Sequence, residues 1–170
     1  DLPFLTNTRG WKKARALCVN NTFQAYVDQE NLEYNLWDWS IIFPTVASVH
    51  PEGSDLLLMG LGGGMLYHQF NRAGFNMDVV EFDERIKDLA IQYFAVPADE
   101  NIIVDDARRY INTSNKNYDV VVLDLFYNET PPTQVPTKES FEKIKQRLNP
   151  KGMVLMNFYG YTSGDKGRAA

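Results

Sequence analysis

Four glycines within five residues could allow the backbone of this chain to bind a ligand. They follow an apolar run at residues 56–59, which is too short for a helix of its own and suits a strand buried on both faces of a sheet. Glycine lets the chain turn tightly and lets a ligand lie against the main chain, and the helix that follows offers unpaired N–H groups. We interpret three of these residues as binding positions: Gly60, Gly62 and Gly64.

A carboxylate further along the chain indicates which kind of ligand the glycine loop binds. Residues 77–80 are predicted to form a second buried strand, which ends at Glu81, about 20 residues beyond the loop. Nucleotide-binding α/β folds place an acid at this distance to bind ribose hydroxyls. The loop and Glu81 together predict a nucleoside site, and the alternative is a glycine-rich turn that only joins a strand to a helix.

Strands and helices alternate along the rest of the chain. Further strands are predicted at residues 101–104, 118–123 and 153–158, with helical patterns between them, one of which Asp83 can cap. This alternation predicts an α/β fold, a Rossmann-like parallel sheet with helices on both faces. Such sheets bind ligands at the carboxyl ends of their strands, where the sequence has several acids: Glu81, Asp105, Asp106 and Asp124.

The first part of the chain has a different pattern. Two short apolar runs flank Asn20 and Asn21, a pair that tolerates positive φ, and predict a small β-hairpin. Apolar residues at helical spacing over residues 34–49 predict a helix interrupted by Pro44. The predicted division of the chain is an N-terminal β-hairpin segment, 1–33, and a Rossmann-like nucleoside-binding domain, 34–170.

Composition limits the classes of function. The chain has 170 residues, of which 44% are hydrophobic and 23% charged, and no apolar run approaches the length of a membrane span. The net charge of −5 argues against a nucleic-acid partner and is compatible with a cationic substrate. We expect a cytoplasmic protein, or a cytosol-facing domain of a larger membrane protein, that makes no membrane contact through this segment. A homodimer is left open.

Cysteine and histidine are scarce. The single cysteine, Cys18, lies between apolar residues and is predicted to be buried. Because one cysteine and two distant histidines offer too few ligands, we predict no metal site.

Five motifs, in order along the chain, resemble those of a known family. LLLMGLGGG at 56–64 is similar to the G-x-G-x-G loop of class I S-adenosylmethionine-dependent methyltransferase folds, and the span 24–167 resembles spermidine synthases and related aminopropyltransferases. The other motifs are VEFDE at 80–84, DDAR at 105–108, YDVVVLD at 118–124, and PTKESF at 136–141 followed by LNPKG at 148–152. The family domain continues beyond the fifth strand, so the resemblance implies a domain that is incomplete at its C-terminus.

The resemblance implies a nucleoside site formed by residues from several motifs. Glu81 would bind the ribose hydroxyls, Asp106 the adenine amino group, and Gln24, at the end of the hairpin, the nucleoside. Asp83 and Asp105, which lie in the same motifs as Glu81 and Asp106, are included in this predicted site.

The implied reaction transfers an aminopropyl group from decarboxylated S-adenosylmethionine, a cosubstrate that is not covalently bound, to a polyamine such as putrescine or to another amine. The attacking nitrogen must be neutral, whereas a diamine is cationic at pH 7. A carboxylate can therefore orient the cation and then accept its proton. We assign this catalytic role to Asp124, with Tyr34 as its hydrogen-bond partner.

Two alternative functions stay open. One is a methyltransferase that uses S-adenosylmethionine on a small molecule, because Gly63 stands where the family usually has an aspartate in the loop. The other is an inactive nucleoside-binding module of a larger protein.

Overall fold

The computed structural model describes residues 2–6, 10–98, 101–126 and 137–158. Its strands are β1 (Leu2–Thr6), β2 (Gly10–Val19), β3 (Thr22–Asp28), β4 (Asp55–Met59), β5 (Asn76–Glu81), β6 (Ile102–Val104), β7 (Tyr118–Leu123) and β8 (Leu148–Met156). Its helices are α1 (Ile42–Ala47), α2 (Met65–Arg72), α3 (Glu84–Tyr93), α4 (Ala107–Thr113) and α5 (Lys138–Gln146), with a 3₁₀ helix at Asp38–Ile41 before α1. None of the helices in these ranges has both the length and the apolarity needed to cross a bilayer.

Five strands form a parallel sheet in the order β6-β5-β4-β7-β8. From β4 the chain adds β5 and β6 on one side, and then crosses to add β7 and β8 on the other. Because the connections that follow β4 and β7 leave in opposite directions, a crevice opens beyond the carboxyl ends of these two strands. The predicted Rossmann-like sheet is confirmed, and its glycine loop lies at this crevice.

Alternate residues of β4 pack on opposite faces of the sheet, which explains the apolar run at residues 56–59. Leu56 and Leu58 pack in a core with α1, α2 and α3, whereas Leu57 and Met59 pack on the opposite face with α4 and α5. All four side chains are buried. The sheet is therefore covered by helices on both faces, as the alternating pattern predicts.

The N-terminal strands form a separate antiparallel sheet in the order β1-β2-β3. The predicted hairpin is confirmed as β2 and β3, joined at Asn20 and Asn21, both of which have positive φ. Strand β1 was not predicted, because residues 1–13 show no clear period. Leu17 and Ala25 of the hairpin pack against Met65 at the start of α2, so the hairpin lies against the parallel-sheet region.

The predicted helix over residues 34–49 is wrong in its first half. The α-helix covers only Ile42–Ala47, after the 3₁₀ helix. The Asn35 side chain accepts a hydrogen bond from the Trp37 N–H at 2.8 Å and donates one to the Ser40 hydroxyl. Such side-chain bonds compete with helical backbone bonds and stabilise an irregular turn.

The prediction that Cys18 is buried is also wrong, since its side chain is exposed. Successive residues of a strand point to opposite faces, and Leu17 occupies the buried face of β2. Cys18 consequently lies on the outer face, opposite Phe23 of β3.

Candidate active site

The end of β4 makes close backbone contact with the end of β7. Asp124 N, just after β7, donates to the Met59 carbonyl of β4 at 2.9 Å. On the other side of β4, Gly60 N donates to the Val80 carbonyl of β5 at 2.8 Å. A Cβ at Gly60 would overlap the Asp124 carbonyl oxygen and would lie 3.0 Å from its carbonyl carbon. Only glycine fits there, and its φ of +97° also favours glycine. The first glycine of the loop and Asp124 are therefore directly adjacent.

The Glu81 carboxylate closes the other side of the loop. Its Oε2 accepts hydrogen bonds from Leu61 N at 2.9 Å and Gly62 N at 3.4 Å, and its Oε1 accepts one from Asp83 N at 3.0 Å. The side chain is buried, with 9% of its surface exposed. Glu81 thus stabilises the conformation of the glycine loop and places a negative charge at the carboxyl edge of the sheet.

Strand β3 of the hairpin lies over the middle of the loop. A Cβ at Gly62 would lie 3.8 Å from the Gln24 carbonyl oxygen. A Cβ at Gly63 would overlap the Ala25 methyl group and lie 3.3 Å from the Phe94 ring. No side chain fits at Gly63 unless the hairpin moves, so this part of the loop offers only backbone to a ligand. Gly64 then caps the N-terminus of α2.

The pKa of the Asp124 carboxyl group is shifted by its surroundings. It is partly buried, and its Oδ1 accepts a hydrogen bond from Asn157 Nδ2 at 2.8 Å. Burial raises the pKa of the Asp124 carboxyl to about 6, while the Asn157 N–H acts in the opposite direction. A carboxylate with this pKa is ionised at pH 7 and is a stronger base than an ordinary aspartate, which suits it to accept a proton.

The other acids predicted for the site make bonds that stabilise local structure. Asp83 is the N-cap of α3 and pairs with Arg85, which lowers the pKa of the Asp83 carboxyl. Asp106 is the N-cap of α4 and accepts from Arg109 N at 2.9 Å. Asp105 accepts from the Arg109 side chain, and its own N–H donates to the Glu81 carbonyl at 3.0 Å. Asp105 and Asp106 therefore lie beside Glu81 at the edge of the sheet, and their capping and pairing roles do not exclude ligand contacts.

Tyr34 lies in a turn after β3, and 40% of its surface is exposed. Its carbonyl accepts from Asp28 N at 2.9 Å. Among the described residues, the side chain bonded to Asp124 is Asn157 and not Tyr34. The predicted partnership between Tyr34 and Asp124 stays a prediction.

Sequence reasoning missed two residues that shape this site. Asn157 follows the last strand at the same edge as Asp124, and its place after an apolar run is the signal that could have identified it. Ala25 could not be predicted from its residue type, because its effect on the site depends on the packing of the hairpin against Gly63. In the described ranges, no group of His, Cys, Asp and Glu side chains is arranged to hold a metal ion.

Comparison with known families decides where the chain belongs. Residues 40–158 match the family model of the spermine/spermidine synthase domain. The chain is a member of the spermine/spermidine synthase family. The match covers α1 to β8 and so contains the glycine loop, Glu81 and Asp124.

The chain is similar in sequence to an aminopropyl transferase and to a methyltransferase. The chain is 30% identical over 130 residues to a probable polyamine aminopropyl transferase of Bifidobacterium longum, covering 75% of this chain and 28% of that protein. It is 30% identical over 113 residues to an N-terminal histidine N-methyltransferase of Emericella nidulans, covering 64% of this chain and 20% of that protein. The chain thus spans less than a third of the length of either relative.

A solved structure shows the same fold in a member of the family. The crystal structure of a probable spermidine synthase from Corynebacterium glutamicum superposes with a TM-score of 0.67 at 20% sequence identity. The superposition covers 84% of this chain and 59% of that one. The likeness shows that the two chains share a fold.

Proposed function

We propose that this domain transfers an aminopropyl group from decarboxylated S-adenosylmethionine to a diamine, and that Asp124 is the catalytic base. The observation that carries this proposal is the position of Asp124, whose backbone contacts Gly60 at the crevice and whose carboxyl group has a pKa raised to about 6 by burial. A partly buried carboxyl group with a raised pKa, next to a glycine loop that can bind a ligand, is typical of a residue that transfers protons. Family membership supports the same reaction class.

The nucleoside would lie on the glycine loop between Glu81 and the hairpin. Glu81 already accepts three backbone N–H groups, and a carboxylate has enough lone pairs to accept a ribose hydroxyl as well. We assign Asp106 to the adenine amino group and Gln24 to the hairpin side of the nucleoside. Support for this comes from their positions, since Asp106 follows the strand next to Glu81 and the Gln24 backbone faces Gly62.

The chemistry at Asp124 can be written with atoms and charges balanced. The amine nitrogen attacks the methylene carbon of the aminopropyl group that is bonded to sulfur. An N–C bond forms, and the bond between this carbon and sulfur breaks. The C–S electron pair goes to sulfur and neutralises the sulfonium, which leaves methylthioadenosine. The diamine nitrogen enters as an ammonium ion without a lone pair, so it first transfers a proton to Asp124. The neutral amine then attacks, and the new secondary amine is formed in its protonated state. The same negative charge attracts the cation before the reaction.

A methyltransferase is the second candidate, and the packing at Gly63 favours it. Because Ala25 and Phe94 exclude any side chain there, the loop has no carboxylate to bind the ammonium group of an aminopropyl tail. S-adenosylmethionine carries a carboxylate in its tail, and an acid at this position would repel it. The similarity to an N-terminal histidine N-methyltransferase agrees with this candidate.

Calorimetry followed by a transfer assay distinguishes these functions. The chain is titrated with S-adenosylmethionine, its decarboxylated form and methylthioadenosine, and is then incubated with putrescine. Tighter binding of the decarboxylated form together with formation of spermidine is the expected result. Transfer of a methyl group would support the second candidate instead. Binding without transfer would indicate a nucleoside-binding module, and absence of binding would contradict both enzymatic candidates.

Replacement of Glu81 tests the nucleoside site directly. We expect Glu81→Ala to weaken binding of methylthioadenosine by about 10- to 100-fold, because hydrogen bonds to a charged group contribute about 1.5–3 kcal/mol. Calorimetry measures this loss. A 2′,3′-dideoxy analogue provides the control, since it cannot bond to Glu81 and should bind both proteins with similar affinity. If the analogue loses as much affinity as the parent nucleoside, Glu81 acts through the shape of the loop and not through the ribose.

A further inference from the structure

The register of the parallel sheet places Asp124 and Asn157 side by side. Leu123 of β7 is paired with Met156 of β8, and each of the two polar residues comes next in its chain. Asn157 N donates to the Leu123 carbonyl at 2.9 Å, and Asp124 N donates to the Met59 carbonyl at 2.9 Å. Backbone hydrogen bonds therefore fix both residues before their side chains interact.

The side-chain bond between them restrains the carboxylate. Asn157 Nδ2 donates to Asp124 Oδ1 at 2.8 Å. Within the part of the chain that the structure describes, Asp124 Oδ2 accepts no hydrogen bond. Among the described residues, the amide thus bonds to one carboxylate oxygen, and the other oxygen is the one that could receive a proton.

We propose that Asn157 is a positioning residue, which orients the Asp124 carboxylate so that Oδ2 meets the attacking amine. This inference rests on the proposed function for its effect on catalysis. Its structural part, the restraint on Asp124, can be tested without any turnover. An amide is suited to this role because it donates a hydrogen bond and carries no charge that would compete for the proton.

Among the described residues, Asn157 is the main polar influence on the pKa of Asp124. The glycine loop presents only backbone at Gly60. The Glu81 carboxylate lies on the β5 side of β4, where it is bonded to backbone N–H groups of the loop. Among the described residues, no charged side chain contributes to the shift in the pKa of Asp124, which burial raises and Asn157 lowers. Removing the Asn157 amide should therefore raise this pKa further.

The same pair of strands provides a matched control at the opposite edge of the sheet. Asn149 Nδ2 donates to Asp119 Oδ1 at 2.9 Å, and both residues are partly buried. The bond has the same chemistry and joins the same two strands, but it lies away from the glycine loop. Asn149→Leu consequently controls for the general effect of removing an amide–carboxylate bond between β7 and β8.

The first experiment titrates the Asp124 side-chain carbon by ¹³C NMR in the full chain, with its signal assigned by its absence in Asp124→Asn. We expect the midpoint to rise by about one pH unit in Asn157→Leu and to stay unchanged in Asn149→Leu. Asn157→Ala carries the same expectation if the leucine variant does not fold. An unchanged midpoint in a folded Asn157 variant would overturn the proposal.

The second experiment measures aminopropyl transfer as a function of pH. We expect kcat of Asn157→Leu to fall about 10-fold at high pH, where Asp124 is ionised, because misplacement of a catalytic group slows the chemical step. The acid limb of its pH profile should move upward with the NMR midpoint, and KM for the nucleoside should change by less than about 2-fold. An equal loss of kcat in Asn149→Leu would indicate that Asn157 has a purely structural role. If the wild-type chain transfers no aminopropyl group, the proposed function fails, and the NMR midpoint alone decides the restraint on Asp124.

Discussion

Asp124→Asn is expected to abolish most aminopropyl transfer while leaving nucleoside affinity nearly intact. The amide keeps the shape of the side chain and can still accept the hydrogen bond from Asn157, but it cannot accept a proton from the diamine. Loss of a general base typically lowers kcat by about 10²- to 10⁴-fold. Steady-state kinetics with saturating cosubstrate, combined with calorimetry using methylthioadenosine, measures both effects.

The same substitution should stabilise the folded domain. Burial raises the pKa of Asp124 from its ordinary 3.8 to about 6, so the charged form is disfavoured in the folded state. At pH 8 this corresponds to a cost of up to about 3 kcal/mol, which Asp124→Asn removes. Because the folded-state pKa is raised, the cost is fully present above about pH 6 and shrinks as the pH falls toward 3.8. Urea unfolding at pH 8 and pH 5 should show the stabilisation falling to roughly half at the lower pH.

Asp119→Asn is the matched control for both measurements. Asp119 lies on the same strand at the opposite edge of the sheet, where it accepts hydrogen bonds from Asp55 N and Asn149 Nδ2. Its replacement should not raise stability and should leave turnover unchanged. A loss of nucleoside affinity in Asp124→Asn, parallel to the loss of turnover, would instead make Asp124 a binding residue. Equal stability of Asp124→Asn and the wild type would contradict the proposed cost of burying the charge.

Gly60→Ala is expected to have the largest effect on stability. The new methyl group would overlap the backbone oxygen of Asp124, which the hydrogen bond from Asp124 N to the Met59 carbonyl holds in place. Since backbone atoms of two central strands cannot move apart cheaply, we expect a loss of more than about 3 kcal/mol in the free energy of unfolding. Chemical denaturation followed by circular dichroism measures this loss. Any folded fraction should also bind methylthioadenosine more weakly.

Gly53→Ala separates the cost of steric overlap at Gly60 from the cost of a positive φ. Gly53 has a φ of +83°, close to the +97° of Gly60, but a Cβ there would meet nothing within 4 Å. Its replacement should cost only about 1 kcal/mol, which is the penalty of a left-handed conformation for an ordinary residue. The difference in the free energy of unfolding between the two variants measures the cost of steric overlap with Asp124. Similar losses in both would show that Gly60 is required for its φ alone.

Local patterns were sufficient to predict most elements of the parallel sheet. The run at residues 118–123 matches β7 residue for residue, because a strand buried on both faces is mostly apolar, and Asp119 is its one charged residue. The predicted cap Asp83 accepts the expected backbone hydrogen bond from Arg85 N. The helix predicted over residues 34–49 failed because Asn35 bonds to the turn around it, and a hydrophobic period does not reveal such competing side-chain bonds.

The candidate site could be predicted only in part. The sequence alone determined that a glycine loop and several acids end strands of one parallel sheet, since the alternation of strands and helices requires those ends to share an edge. Tertiary structure decided that Asp124 lies against Gly60, that Ala25 closes Gly63, and that Asn157 bonds to the carboxylate. The physical reason is that the order and register of parallel strands arise from packing between distant segments, which the spacing of residues within each segment does not specify.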